Sequence, residues 1–289
     1  MTEPTVESAD RSAVTAPLHR GVYLPPFGPF GDPNVLVDLA IRAETAGWDG
    51  IFLWDHVLGD FTPVVDCWTS LAAMATSTRF IKIGPTVTPL PRRRPWIVAR
   101  QASTVSRLSH GRLIVGVGLG SDESGDFSRF GEERSRPIRS RMLDEGLAIM
   151  RSMWVGDAVT RGEGEYEVDL PAEDPEPHRI PIWVASSTRH PRLVSRAVRC
   201  DGIFPISDHT LEPDEVAGIV DALHAAGLDQ NQPYDVVVSG NASTAWEKPN
   251  PDGVDLSAIA DAGATWWMES LMHFDPLELS AEVIDAGPP

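Results

Sequence analysis

Residues 47–60 read "GWDGIFLWDHVLGD", an apolar run that stops on an acid and an imidazole, Asp55 and His56. Four consecutive apolar residues before the pair indicate a buried strand, which places both ionisable groups at its C-terminal edge. A histidine there can act as general acid or base near neutral pH. It can equally do no more than hydrogen-bond its own loop, and the residues alone leave both readings open. Three further stretches carry groups with chemical potential. "TVTPLPRRRPW" (86–96) sets Arg92, Arg93 and Arg94 after another strand, where guanidinium groups could bind an anionic tail or pair with nearby carboxylates. "VASSTRHP" (184–191) ends a strand on Ser186, Ser187 and Thr188 just ahead of a helix start. Hydroxyls and backbone N–H groups there suit a phosphate, although simple N-capping needs only one of them. "GVGLG" (116–120) lacks the third glycine of the dinucleotide fingerprint, so Gly118 and its neighbours are read as admitting a flat ligand or packing tightly at a rim.

Other chemistries lack their residues. No His-x-His, no carboxylate and histidine cluster with ligand spacing, and no G-x-S-x-G elbow occurs, so neither a metal nor a serine nucleophile is expected. The only lysines are Lys82 and Lys248, neither at a plausible strand end, which disfavours a lyase or aldolase.

The elements that must position these groups alternate without a break. Strand-like runs fall at 21–25, 50–54, 80–87, 112–120, 180–186, 202–206, 234–240 and 264–270, with helical patterns between them. The first helix is bounded by Asp32 as N-cap, Pro33 at its first position and Gly47 as its stop. Eight such units predict an α/β fold, a (β/α)8 TIM barrel, over an open doubly wound sheet, with the active site at the C-terminal ends of the strands. The expected organisation is a mobile tail at 1–18 and a single barrel domain at 19–289. Residues 121–140 follow a strand and should cover the barrel mouth. Residues 156–179 follow a helix and should lie on the opposite face or fold around the side. After "ATWWMESLMHFDPLELSAEVIDAGPP" little chain remains for a final helix, so this short C-terminal end could leave closure to a partner subunit.

Taken together, "LAIRAETAGWDGIFLWDHV", "RRRPWIVARQASTVSRLSHGRLIVGVGLG", "RSRMLDEGLAIMRSMW" and "IPIWVASSTRHPRLVSRAVRCDGIFPI" resemble the luciferase-like monooxygenase family, barrel oxidoreductases that use FMN or the deazaflavin F420. The resemblance implies that Asp55 and His56 lie beside the cofactor ring, with His56 as proton donor or acceptor. It implies a non-prolyl cis peptide at Thr86-Val87 behind the ring and a phosphate loop at Ser186, Ser187 and Thr188. Arg93 and Arg94 fall near a loop that can contact the cofactor tail. The fifth-strand loop, "ASST", departs from the Gly-Gly-Ser type turn of many relatives. Trp54-Asp55-His56 is similar to the F420-using branch and favours F420 over FMN.

The implied activity is hydride transfer or oxygenation on a small, apolar organic substrate; the alternative is a flavin- or deazaflavin-binding barrel that senses or carries. Phe27, Trp54, Trp68 and Trp266 lie near strand ends and either line an apolar pocket or belong to the core. A formal net charge of -18 over 289 residues argues against a nucleic-acid partner. Two widely separated cysteines, Cys67 and Cys200, fit a reducing cytoplasmic compartment, no apolar run reaches membrane-spanning length, and a homodimer is expected.

Overall fold

The computed structural model describes residues 17–59, 63–186, 191–229, 231–240 and 253–289. In chain order its elements are β1 (His19–Leu24), α1 (Pro33–Ala46), β2 (Gly50–Leu53), α2 (Cys67–Ser77), β3 (Lys82–Pro85), β4 (Thr88–Pro89), α3 (Pro95–Leu108) and β5 (Val115–Gly118). There follow α4 (Arg136–Val155), β6 (Val159–Arg161), β7 (Val168–Leu170), β8 (Ile182–Ser186), α5 (Pro191–Ala197), β9 (Gly202–Pro205) and α6 (Pro213–Ala225). The last are β10 (Asp235–Gly240), α7 (Leu256–Asp261), β11 (Trp266–Ser270) and α8 (Leu277–Ala286). The ends of α1 follow from its residues: the Asp32 carboxylate accepts from the Asn34 N–H, Pro33 occupies the first turn, and Gly47 turns left-handed at φ 89°. Residues 1–16 of the expected tail lie outside the described residues.

The barrel sheet is parallel throughout, in the order β3-β2-β1-β11-β10-β9-β8-β5-β4. β3 and β4 are two halves of one strand, interrupted where the Thr86-Val87 peptide is cis. β3 bridges the start of β5 through Ile83 and Leu113, and β4 pairs with β5 through Thr88 and Val117. The two ends of the sheet thus meet the same strand, and eight strand positions form a ring. Glycines permit this seam, because a Cβ on Gly84 would stand 1.8 Å from the Ile114 carbonyl oxygen and one on Gly116 2.5 Å from that of Pro85.

Inside the ring, alternate residues fill the N-terminal half. Phe52, Trp183 and Trp266 pack with ring centroids 5.1, 5.3 and 5.7 Å apart, and the Trp183 indole donates to Asp235 at 2.9 Å. The mouth at the other end is left for function. Outward-facing strand residues such as Ile51, Leu53 and Val184 pack against the helical layer.

Two readings change, and the choice left open for residues 156–179 resolves to the side. α2, whose residues gave no separate helical reading, caps from Asp66 and buries Trp68, Leu71 and Met74. The final helix exists: α8 spans ten residues and docks on α1, with Arg42 paired to Asp285 and the Trp48 indole donating to the Ile284 carbonyl at 2.9 Å. Closure therefore needs no partner subunit. Residues 156–179 take the side: β6 and β7 form a hairpin whose Tyr166 meets Trp96 of α3, while Arg107 holds Glu176.

The "SHGR" turn (109–112) explains itself at the closed end of the barrel. The buried Arg112 guanidinium donates to the carbonyls of Ala75, Thr78, Ile81 and Ser109 and to the Thr78 hydroxyl, at 2.7 to 3.0 Å. It ties the ends of α2 and α3 to the start of β3. Arg112→Ala is expected to destabilise the fold by about 3 kcal/mol or more, because four buried carbonyls lose a charged donor. Urea denaturation checks this, and a loss below about 1 kcal/mol would show that water replaces the guanidinium.

Candidate active site at the barrel mouth

Asp55 follows β2 and is 2 % exposed. Its carboxylate accepts four hydrogen bonds: from Thr88 Oγ1 at 2.8 Å, Arg93 Nε at 2.9 Å, Arg93 Nη2 at 2.6 Å and Arg92 Nη2 at 3.1 Å. Arg92 also donates to the Asp55 carbonyl at 2.8 Å, and the Trp68 indole donates to Thr88 at 3.0 Å. Burial pushes the Arg93 guanidinium down, but the Asp55 charge and hydrogen bonds outweigh it and raise its pKa. Asp55 and Arg93 are thus turned to each other, and the arginine turn 92–93 is fastened to the end of β2.

His56 points the other way, into the mouth, where its ring packs against Phe27 at 5.9 Å and Trp54 at 5.7 Å between centroids. Its Nδ1 lies 2.8 Å from Asp126 Oδ2 with the N–H axis turned off the line between them. Asp126 belongs to the stretch after β5. Its Oδ1 accepts from the N–H groups of Val57 (3.3 Å) and Leu58 (3.0 Å), and Oδ2 lies 3.0 Å from Arg92 Nη1. Burial pushes the Asp126 carboxyl up, yet His56, Arg92 and the Leu58 N–H outweigh it and hold it below the usual carboxylate range. The covering stretch is itself ordered. Asp122 accepts from the N–H groups of Phe127 and Ser128 at 2.9 Å, and Arg139 lies 4.3 Å from the buried Phe127 ring.

The other sequence candidates divide. Thr86 is buried, Val87 packs on the inner aromatic cluster, and Gly118 sits where a Cβ would meet the Val87 side chain at 2.9 Å and Ala185 at 3.2 Å. Arg94 is exposed, 5.9 Å from the Trp96 ring. Ser186 ends β8 beside a cavity of about 850 Å³ walled by Ile203, Leu211 and Leu223 and rimmed by Glu123, His209 and Glu215. Ser187 and Thr188 lie outside the described residues. Phe27 and Trp54 line the mouth with Tyr23, whereas Trp68 backs Thr88 and Trp266 belongs to the barrel floor. Sequence reasoning missed Asp126. An acid eight residues past Gly118, among other loop acids, gives no signal until the fold brings it to a strand-end histidine.

The residues present fit a flavin-type ring. Trp54 Nε1 and Thr86 Oγ1 are buried without a protein partner at adjoining strand ends, neutral donors such as a heteroatom-rich ring would use. Aromatic faces from Tyr23, Phe27 and Trp54 supply the apolar surround.

Fold and mouth together define a (β/α)8 barrel whose second strand runs into a buried carboxylate, Asp55, and a part-exposed histidine, His56. The sequence profile of the luciferase-like monooxygenases matches residues 12–249, and the chain belongs to that family. An F420-dependent glucose-6-phosphate dehydrogenase of Amycolatopsis mediterranei (strain U-32) is 33% identical over 162 residues, 53% of this chain and 48% of that one. The chain thus spans about half the length of the curated relatives it matches. An F420-dependent secondary alcohol dehydrogenase in complex with an F420-acetone adduct superposes with a TM-score of 0.72 at 17% identity, over 93% of this chain and 97% of that one. A monooxygenase from Streptomyces bottropensis gives 0.72 at 21% identity, over 92% and 96%. At these identities the two structures establish the fold.

Two outcomes test the mouth. Asp55→Ala leaves two guanidinium groups without their carboxylate and is expected to cost about 3–5 kcal/mol in urea denaturation; a loss below about 1 kcal/mol would mean the arginines find other partners. Asp126 has a folded pKa below its unfolded value, so its contribution is complete above the ordinary range near 4 and is lost as pH falls through the depressed value. Amide exchange at Val57 and Leu58 should therefore lose protection below about pH 4 before the strand amides do. Simultaneous loss everywhere would remove Asp126 as a separate fastening.

Proposed function

We propose that this protein is an F420- or FMN-dependent oxidoreductase, with F420 favoured, that acts on a small organic substrate with an apolar surface. The observation that carries the proposal is His56, held at the mouth by Asp126 beside two unpartnered buried donors, Trp54 Nε1 and Thr86 Oγ1. F420 is favoured because the 33% identical relative is named F420-dependent and because Trp54-Asp55-His56 resembles that branch. When bound, F420 supplies a two-electron hydride acceptor or donor, whereas reduced FMN activates dioxygen.

The chain's own residues supply the rest. Trp54 and Thr86 would orient the ring through their free donors. Phe27, Tyr23 and Trp54 exclude water from its surroundings, which strengthens electrostatic interactions there. His56 gives or takes the substrate proton at its ring, since its imidazole stands part-exposed at the mouth between Phe27 and Trp54. Ser186, Ser187, Thr188 and Arg94 are the proposed contacts to the cofactor tail. Asp55 and Arg93 act by setting where His56 and the 88–94 turn stand. Assembly as a homodimer and residence in the cytoplasm belong to the same reading; no described helix is long and apolar enough to cross a membrane.

Titration of the cofactor-free protein with F420 and with FMN, followed by absorbance and fluorescence, decides the cofactor. Selective binding of F420 is expected; binding of neither would favour a barrel without this chemistry. His56→Ala is expected to lower kcat roughly 10²- to 10⁴-fold while leaving cofactor affinity close to the original. Unchanged turnover would take His56 out of the mechanism.

A further inference from the structure

We infer that Asp126 is the positioning residue of His56: it keeps a proton on Nδ1, so that only Nε2 takes and gives the proton. The inference rests on the reading of His56 as the proton-transfer group.

Asp126 is 2 % exposed, and its two oxygens have separate duties. Oδ1 is fixed by the Val57 and Leu58 N–H groups, which belong to the same loop as His56. Oδ2 thereby lies 2.8 Å from Nδ1 and 3.0 Å from Arg92 Nη1, with neither N–H yet on the line to it. An imidazole nitrogen this close to a carboxylate oxygen is stable only as N–H, because its lone pair would otherwise face another lone pair. Arg92 keeps that oxygen anionic, and a neighbour that keeps one ring nitrogen protonated leaves the other as the titrating atom. The ring needs only a rotation to bring its N–H onto the line, an alignment that catalytic hydrogen bonds often complete when ligands bind. Among the described residues, Asp55 turns to Arg93, and the aromatic neighbours Phe27 and Trp54 carry no charge. The same carboxylate also joins the covering stretch after β5 to the loop after β2, so tautomer and cover are set together.

Nitrogen-15 NMR of the cofactor-free protein at about pH 8.5, where an ordinary histidine is neutral, reads the tautomer directly. A protonated Nδ1 and an unprotonated Nε2 at His56 are expected, and the reverse pattern overturns the inference. Asp126→Leu, similar in size but without an acceptor, should move the proton to Nε2 and lower kcat at least about tenfold, with cofactor affinity nearly unchanged. Asp126→Glu should keep the proton on Nδ1 and restore part of kcat. If Asp126→Leu does not fold, the tautomers of the wild type and Asp126→Glu still decide. A tautomer that stays on Nδ1 in Asp126→Leu overturns the inference, because a purely structural carboxylate would loosen the loop without moving a proton. Absence of turnover and of F420 or FMN binding in the wild type counts against the oxidoreductase reading instead, and leaves the tautomer assignment standing.

Discussion

A carboxylate taken out of water is tolerable only when its oxygens are fully occupied, and at the barrel mouth that condition falls on Asp55. Two arginines and a threonine meet it, and in meeting it they lose their own freedom. The turn from Thr88 to Arg93 is thereby anchored to the end of β2. Since β4 carries that turn and β5 pairs with β4, the positions of three strand ends are referred to one buried charge. The arrangement is organised by what the charge requires rather than by what a ligand needs.

The catalytic proposal builds on this order. His56 follows Asp55 directly, so a carboxylate fixed on the outer side of β2 obliges the next side chain to leave toward the mouth. Arg92 touches both Asp55 and Asp126, which links the inner fastening to the outer one. A proton-transfer residue needs a defined angle and a defined tautomer more than it needs an unusual acidity, and neighbours already held by other constraints supply both.

Much of the architecture was legible because it depends on local signals. All eight strands announced themselves by short apolar runs, and α1 by Asp32, Pro33 and Gly47, since each of these acts within a few residues of chain. α2 is not legible in the sequence, because "CWTSLAAMATS" is apolar on several sides and shows a weak helical stripe. α8 cannot be read from the length of chain left after β11, because its docking through Trp48 and Arg42 depends on residues more than two hundred positions away. At the site, His56 stood out as a strand-end histidine and the Arg92-Arg93-Arg94 run as concentrated charge. Whether those arginines face a ligand or a carboxylate is a question about distance in space. Asp126 illustrates the same limit: its role exists only because a loop after one strand returns over the end of another.

The seam between β3 and β5 constrains how this protein can diversify. Gly84 and Gly116 stand where backbone meets backbone, and no side-chain rotation could relieve an added methyl group there. Ancestral change at these positions would have had to break the ring before it could explore anything new. The walls of the neighbouring cavity, by contrast, face space, and side chains there can be exchanged without meeting backbone. Change is thus channelled into the rim, and the least adaptable part of the molecule is a strip of backbone at the seam, where glycine alone fits.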